Sequence, residues 1–484
     1  MRNLFKLLLS GNNYKMRLFV SAVEKTIENY TLLLPPSLSW LRSTAPGFAV
    51  NGDNITVLQK PDEFYNKLVE LCQNSKKRIT LASLYLGTGH HEEKLVNILS
   101  NRLNEIGESL ELNILLDANR GSRGTHNSRT MLTPLLKTHS NCKVAMFHTP
   151  ALRGILRHLL PTRYNELIGL QHMKLYVFDN TVIVSGANLS ADYFTNRQDR
   201  YIIIKSQELA DFYHGYIQKV ASVSLVLNEE NKLISQSSSN HPFLTPKRAY
   251  LTVAQQRIWG YLQSELGKQK VEGLTNDTLI FPLFELPPFG IHQDSIATKR
   301  IIESANQKST VYLATGYFNL TQTLKNSILF GSQAQFRILM AHPMANSFFK
   351  APGLAGGIPS VYTHIALSFL SLAKKFEQAH RITLFEYQNP GWTFHAKGLW
   401  QNIEKNKMLT LVGSSNYGAR SVKRDLESQI VIVTTNEKLK ASLSDEQKQL
   451  FEVGIPFSNE VVLQPHRNPP LWTKAFSWLF KGFF

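Results

Sequence analysis

The sequence predicts an α/β protein of two similar halves, each a mixed sheet flanked by helices, packed about a pseudo-two-fold axis around one shared site. Three observations predict it. Strand-like and helix-like stretches alternate along the chain. The same order of elements occurs twice. Each copy carries one His-x-Lys pair at a corresponding place.

In the first copy, Arg78-Ile79-Thr80-Leu81-Ala82-Ser83-Leu84-Tyr85 predicts a strand and a helical pattern covers 92–106. Leu112-Asn113-Ile114-Leu115-Leu116-Asp117 predicts a second strand, and Lys143-Val144-Ala145-Met146-Phe147 a third. The second copy repeats this. Thr310-Val311-Tyr312-Leu313-Ala314-Thr315-Gly316-Tyr317 leads into a short helix, then Phe336 to Ala341, then Arg381 to Phe385. The halves so defined are 45–227 and 251–460, joined by an Asn, Ser, Lys and Pro-rich linker, 228–250.

Length and composition agree with this division. At about 150 residues per domain, 484 residues suggest two or three domains. An apolar fraction of 43%, with 27 Phe and 17 Tyr, excludes wholesale disorder. Two cysteines, Cys72 and Cys142, exclude a disulfide framework and a four-cysteine zinc site, and fit a reducing compartment. The net charge of +17 predicts an anionic partner: nucleic acid, a phosphorylated small molecule or an acidic membrane surface.

The ends carry their own signals. Residues 1–23 hold four basic residues and no acid, and Lys6 interrupts the apolar run that a secretory signal needs. Segment 1–44 therefore predicts a mitochondrial-type targeting or membrane-proximal element, against the plainer alternative of a basic terminus with no address. The longest charge-free run, Ala351 to Ala373, is broken by Pro and Gly and predicts a loop entering a helix near Val361, not a bilayer span. The tail, 461–484, is aromatic with flanking lysines. It reads either as a helix lying at a membrane interface or as one docked on the protein.

The chemistry is in the duplicated motifs. His172-Met173-Lys174 leads through an Asp179-Asn180 turn to Ser185-Gly186-Ala187-Asn188, and His395-Ala396-Lys397 leads through a longer turn to Gly413-Ser414-Ser415-Asn416. Of 15 histidines only these two have Lys at the second position after them, and an acid lies 11 residues beyond each Asn, at Asp199 and Glu427. On a strand, residues two apart share a face, so each His projects with its Lys. Two imidazoles, two lysines and two carboxamides could converge on one anion. One imidazole would attack phosphorus and the other would exchange a proton with the departing oxygen. Lys174, Lys397, Asn188 and Asn416 would carry the phosphoryl charge, and Asp199 and Glu427 would each orient a histidine. Asp179 belongs to the motif but also reads as a plain hairpin residue.

At these residues the sequence resembles the phospholipase D superfamily, with its doubled His-x-Lys-x4-Asp motif. It departs at Asn402, which stands where the second Asp is expected, and at Ser185-Gly186, where Gly-Ser is usual. Leu189 to Tyr201, Pro287-Pro288-Phe289-Gly290-Ile291 and Asn346-Ser347-Phe348-Phe349 narrow the likeness to the eukaryotic phosphatidyltransferases that make phosphatidylglycerophosphate. The resemblance implies two phospholipase D-like halves and transfer of a phosphatidyl group from CDP-diacylglycerol to glycerol 3-phosphate through a phosphatidyl-histidine. It implies no cofactor and no metal, a peripheral place on an anionic membrane, the mitochondrial inner membrane as location, and no nucleic-acid partner. His172 is the expected nucleophile and His395 the acid and later base, an order that pseudosymmetry leaves open. Phosphate-binding candidates are Arg120, Arg123 and Arg129 after the second strand, and Arg153 and Arg157 before the first motif. The alternatives are a nucleic-acid phosphodiesterase built on the same doubled motif, or a phosphatidylserine or cardiolipin synthase.

Overall fold

The computed structural model describes residues 34–159, 165–237, 240–268, 276–352, 356–404, 406–458 and 467. The expected targeting segment up to residue 33, and the tail apart from Arg467, lie outside the described residues. From Leu34 the chain makes two short helical turns, and Leu34, Leu38 and Leu41 are buried among Leu279, Ile301 and other second-half residues. Strand β1 (Phe48–Val50) then pairs antiparallel with residues 278–280. A division at residue 45 therefore does not hold, because 34–50 completes the core and sheet of the second half.

The first half contributes β2 (Ile55–Leu58), β3 (Arg78–Ala82), helix α1 (His90–Ile106), β4 (Glu111–Asp117), β5 (Cys142–Phe147) and helix α2 (Gly154–Leu159). β6 (Leu175–Phe178), β7 (Thr181–Ser185), β8 (Tyr201–Lys205) and helix α3 (Gln207–Ala221) follow. β3, β4 and β5 are parallel neighbours with nearly continuous apolar sequence, as strands covered on both faces must be. α1 buries Leu95, Val96, Leu99 and Leu103 at helical spacing and stops at Gly107, whose φ of 68° few other residues adopt. The expected linker is partly regular. Leu233–Ser235 pairs with Leu225–Leu227 at the sheet edge, and the 21-residue helix α4 (Lys247–Gly267) begins right after Pro246.

The second half runs through β9 (Thr278–Leu286), β10 (Thr310–Thr315), β11 (Gln335–Ala341) and helix α5 (Ile358–Lys375). It continues with β12 (Ile382–Tyr387), β13 (Gly398–Glu404), β14 (Lys407–Gly413), β15 (Glu427–Thr434) and helix α6 (Glu437–Glu452). α5 starts three residues earlier than expected, with Pro359 tolerated in its first turn. The sheet order β5-β4-β3-β6-β7-β8-β2 in the first half is matched by β12-β11-β10-β13-β14-β15-β9 in the second. The duplication seen in the sequence is thus a duplication of topology.

Each sheet buries one face under its own outer helices, and a third core fills the space between the sheets. There Leu175, Val184 and Ile202 meet Ile280, Phe284 and Ile432, with α3, α4 and α6 supplying further side chains. A buried ion pair crosses this core. Arg200, just before β8, forks onto Glu446 of α6 at 2.8 and 2.7 Å, donates to the Leu411 carbonyl at 2.6 Å and lies over the Trp400 ring at 3.8 Å. The Trp400 indole N–H donates to the same carboxylate at 2.9 Å. Replacing Arg200 with Met would leave the Glu446 carboxylate in an apolar interior without its cation, held only by the Trp400 N–H. The expected cost is about 3–5 kcal/mol, read as a lower midpoint in chemical denaturation, with the double variant R200M/E446L recovering much of the loss.

Candidate active site between the halves

The parallel strands of each half point their C-terminal ends toward one place. β6 and β13 run antiparallel to them, so they begin at that same end, with Leu175 beside Ala82 and Gly398 beside Ala314. His172 and Lys174 immediately precede β6, and His395 and Lys397 immediately precede β13. The motifs thus sit at the mouths of the strands, not within them as the i, i+2 reading expected. Each is held by the opposite half: His172 N–H donates to the Leu426 carbonyl and His395 N–H to the Gln198 carbonyl, both at 2.8 Å.

Those two carbonyls belong to the residues before the two acids, and the side-chain pairing follows from them. His172 Nδ1 lies 2.9 Å from Glu427 Oε2, and His395 Nδ1 lies 2.6 Å from Asp199 Oδ2. Each histidine is oriented by the acid of the other half. With Nδ1–H donated to a carboxylate, Nε2 carries the lone pair. Lys174 Nζ donates to the His172 carbonyl at 2.6 Å, and Lys397 Nζ donates to the His395 carbonyl and lies 3.6 Å from Asp199.

Burial sets the protonation states. It holds both imidazoles well below their ordinary pKa, reinforced by Lys174 at His172 and by Lys397 and Arg197 at His395. Burial pushes Lys174 down to about 7 against the pull of Glu427, and Lys397 down to about 8 against Asp199. It pushes Glu427 up to about 7 and Asp199 upward, opposed by Lys174 and Lys397 respectively. The histidines are therefore neutral, as a nucleophile and a proton acceptor must be. The carboxamide oxygens of Asn188 and Asn416 are buried without a hydrogen-bond partner. These two amides are uncommitted polar groups beside the cluster.

The two dyads differ in their support. Glu427 accepts from Ser414 Oγ at 2.5 Å and from Ser421 Oγ at 2.8 Å. The equivalent positions in the first half are Gly186 and Tyr193. A Cβ on Gly186 would stand 2.5 Å from Asp199 Oδ1 and 2.7 Å from Lys397 Cδ, so the departure from Gly-Ser makes room for the Asp199–Lys397 contact. Tyr193 hydroxyl lies 3.4 Å from His395 Nε2, whereas among the described residues no protein group hydrogen-bonds His172 Nε2. Sequence reading assigned no role to Ser421, Tyr193, Arg420 or Asp425. Asp425 pairs with Arg420 at 2.8 Å and accepts the Leu170 N–H at 3.0 Å, fixing the approach to His172. The five-residue offset from each Asn was the available signal for Tyr193 and Ser421.

Several expected site residues lie elsewhere. Asp179 is at the opposite end of β6, in the left-handed region at φ 47°, where its carboxylate accepts the N–H groups of Lys76, Lys77 and Arg78 at 2.8–3.0 Å. A catalytic place for it is corrected to hairpin closure. Arg129 is tied to Asn231 in the edge hairpin, and Arg153 to the Phe243 and Thr245 carbonyls, so both fasten chain segments. Arg123 pairs with Glu166 at 3.4 Å, and the exposed Arg157 lies over the Phe243 ring at 3.8 Å. Arg120 lies 4.0 Å over Tyr85, whose hydroxyl meets Ser190 two residues past Asn188. Of the five it is the one whose contacts lead to the segment after Asn188.

A family model described as cardiolipin synthase, PLD-like domain, matches residues 68–221. The chain is 42% identical over 480 residues to the mitochondrial CDP-diacylglycerol–glycerol-3-phosphate 3-phosphatidyltransferase of Gallus gallus, covering 92% of this chain and 86% of that one. The chain belongs to this phosphatidyltransferase family. The Homo sapiens relative is 42% identical over 476 residues, and the Saccharomyces cerevisiae relative 34% identical over 463 residues, covering 89% of this chain and 88% of that one. The phosphatidylserine synthase of Haemophilus influenzae Rd KW20 shares the fold. It has a TM-score of 0.72 at 20% identity, over 93% of this chain and 99% of that one.

The two kinds of aspartate in this phosphatidyltransferase chain should separate by experiment. Asp179→Ala removes the shared acceptor of three backbone N–H groups that close the hairpin and should cost about 1 kcal/mol, seen as a lower melting midpoint with turnover per folded molecule unchanged. Asp199→Ala should abolish turnover by disorienting His395.

Proposed function

We propose that the chain transfers the phosphatidyl group of CDP-diacylglycerol to the hydroxyl of glycerol 3-phosphate, releasing CMP and forming phosphatidylglycerophosphate. The observation that carries this reading is the pair of crossed histidine–carboxylate dyads in one cleft of a chain whose relatives at 34–42% identity bear that activity in their names. The relatives named mitochondrial support a mitochondrial location here, and within it we take the chain to be peripheral on the anionic surface of the inner membrane.

In the first step His172 Nε2 attacks the diacylglycerol-bearing phosphorus. The N–P bond forms, the P–O bond to CMP breaks, and the Glu427 carboxylate balances the positive charge on the imidazole. The open Nε2 of His172 and the triply supported Glu427 favour His172 over His395 for this role. Lys174, Lys397 and the amides of Asn188 and Asn416 would hold the equatorial phosphoryl oxygens. In the second step neutral His395 takes the proton of the glycerol hydroxyl as its oxygen attacks phosphorus, and the N–P bond breaks to restore His172. Arg120, on the rim, would meet a phosphate of the donor or acceptor.

The deciding assay offers labelled CDP-diacylglycerol with glycerol 3-phosphate, serine, phosphatidylglycerol or water in turn. Glycerol 3-phosphate should give the greatest CMP release; release only with another acceptor, or with none, would overturn the proposal. His172→Ala should lose about 10,000-fold or more in turnover and show no labelled protein adduct, whereas His395→Ala should still form the adduct. An adduct that survives in His172→Ala and vanishes in His395→Ala would reverse the two roles.

A pH profile tests the lysines. Their cations are held only below about 7 for Lys174 and about 8 for Lys397 in the free protein. Raising pH through that window removes positive charge that the donor phosphates need. The expected result is kcat/KM for CDP-diacylglycerol falling as pH climbs past about 7 to 8; a profile level across that range would show that other groups carry the charge.

A further inference from the structure

Among the described residues the most exposed large hydrophobic side chain is Ile155, at 75%, followed by Leu159 and Leu244 at 73% each. These three belong to one patch. Ile155 and Leu159 are four apart on α2 and so share a helix face. Leu244 adjoins Phe243 on the segment that α2 grips, because Arg153 donates to the Phe243 and Thr245 carbonyls and Arg157 stacks on the Phe243 ring. Exposed Arg157, Lys247 and Arg248 surround the three apolar side chains. No Asp or Glu occurs in 148–159 or in 231–264.

Its position gives this patch meaning. α2 follows β5 and therefore lies at the strand end where His172 and His395 meet. The second half adds apolar exposure at the same end of its own parallel strands. The loop after β11 exposes Met344 at 49% and Phe349 at 39%, beside Lys350, in the acid-free stretch 342–376. This loop reaches the site: Ser347 Oγ is 2.8 Å from the Tyr317 hydroxyl, and the Tyr317 ring is edge-on to His395 at 5.9 Å. Exposed apolar side chains accompanied by cations thus stand in both halves at the end of the strands where the site lies.

We infer that this face docks on an anionic phospholipid bilayer, with Ile155, Leu159 and Leu244 as the main insertion and Met344 and Phe349 as the second. Arg157, Lys247, Arg248 and Lys350 then lie at headgroup depth, where their charge favours an acidic surface. Apolar side chains inserted to the acyl boundary add hydrophobic binding that pure charge attraction lacks. The arrangement rests on the lipid-substrate reading above. It lets a diphosphate headgroup enter the cleft while its acyl chains stay in the membrane.

The test uses the full chain with phosphatidylcholine–phosphatidylglycerol vesicles and with pure phosphatidylcholine vesicles. The triple variant I155E/L159E/L244E should bind the acidic vesicles about ten-fold or more weakly and lose turnover of vesicle-embedded CDP-diacylglycerol. It should keep parental turnover of a short-chain, monomerically dispersed CDP-diacylglycerol, which also reports folding. Vesicle binding equal to the parent would overturn the inference. A second measurement places an environment-sensitive fluorophore at Ile155→Cys, Cys72 and Cys142 being buried. A blue-shifted, brighter signal with acidic vesicles is expected, and an unchanged signal would also overturn it. Failure of the parent chain to release CMP from dispersed or embedded donor would instead count against the proposed reaction.

Discussion

Arg200 is a buried guanidinium whose side-chain partners all lie in the other half of the molecule: Glu446, Thr410, the Leu411 carbonyl and the Trp400 ring. Desolvating such a pair costs several kcal/mol per ion and is offset only where the geometry is bidentate and the remaining donors are satisfied. Here each donor nitrogen of the fork has an acceptor, so the halves fit in one relative position. Arg200 follows Asp199 directly, and the residue before, Gln198, accepts the His395 N–H. Three consecutive residues therefore cross to the second half. The fixed docking that the ion pair requires is the same docking that assembles the site.

That dependence explains how so many ionisable groups remain in one desolvated place. Lys174 and Glu427 shift one another, as do Lys397 and Asp199, and both lysines act on both histidines. Alone, each would shed its charge on burial. Together, two acids face two lysines across a cleft, and the imidazoles between them stay neutral. An arriving phosphate diester adds negative charge and strengthens the hold of both lysines on their protons. The cleft is thus charge-balanced when empty and cationic enough when an anion approaches.

The fold and the histidine–lysine cluster were legible because both depend on periodicity and on repetition, which are written locally. The matched 11-residue spacing from Asn188 to Asp199 and from Asn416 to Glu427 reflects equal paths through two copies of one sheet. What could not be read is which half serves which residue. The partner of His172 is Glu427, 255 positions away, and nothing local distinguishes it from Asp199. The same holds for β1, a three-residue strand whose pairing with β9 no propensity encodes. Asp179 and the loop arginines misled for a different reason. Their residue types suit phosphate chemistry, but Asp179 answers backbone amides at the far end of β6, and Arg129 and Arg153 answer carbonyls of the chain between the halves. A polar side chain is claimed first by the nearest backbone groups that the turns and edges leave without a partner.

The duplication is least exact where the chemistry needs it to differ. Two identical dyads would make either histidine equally able to attack, and neither committed to proton transfer. In the second half Ser414 and Ser421 give the Glu427 carboxylate two hydroxyl donors besides His172, which stabilise an anion able to balance an imidazole that has gained a bond to phosphorus. At the matching first-half positions, Gly186 admits Lys397 close to Asp199 and Tyr193 covers the outer nitrogen of His395. The Asp199 side is thereby pulled toward a lysine and capped by a phenol, an environment for a group that exchanges a proton and not for one that forms a bond. Changing two side chains in each dyad, Ser414 and Ser421 against Gly186 and Tyr193, is enough to turn a symmetric frame into an ordered pair of roles.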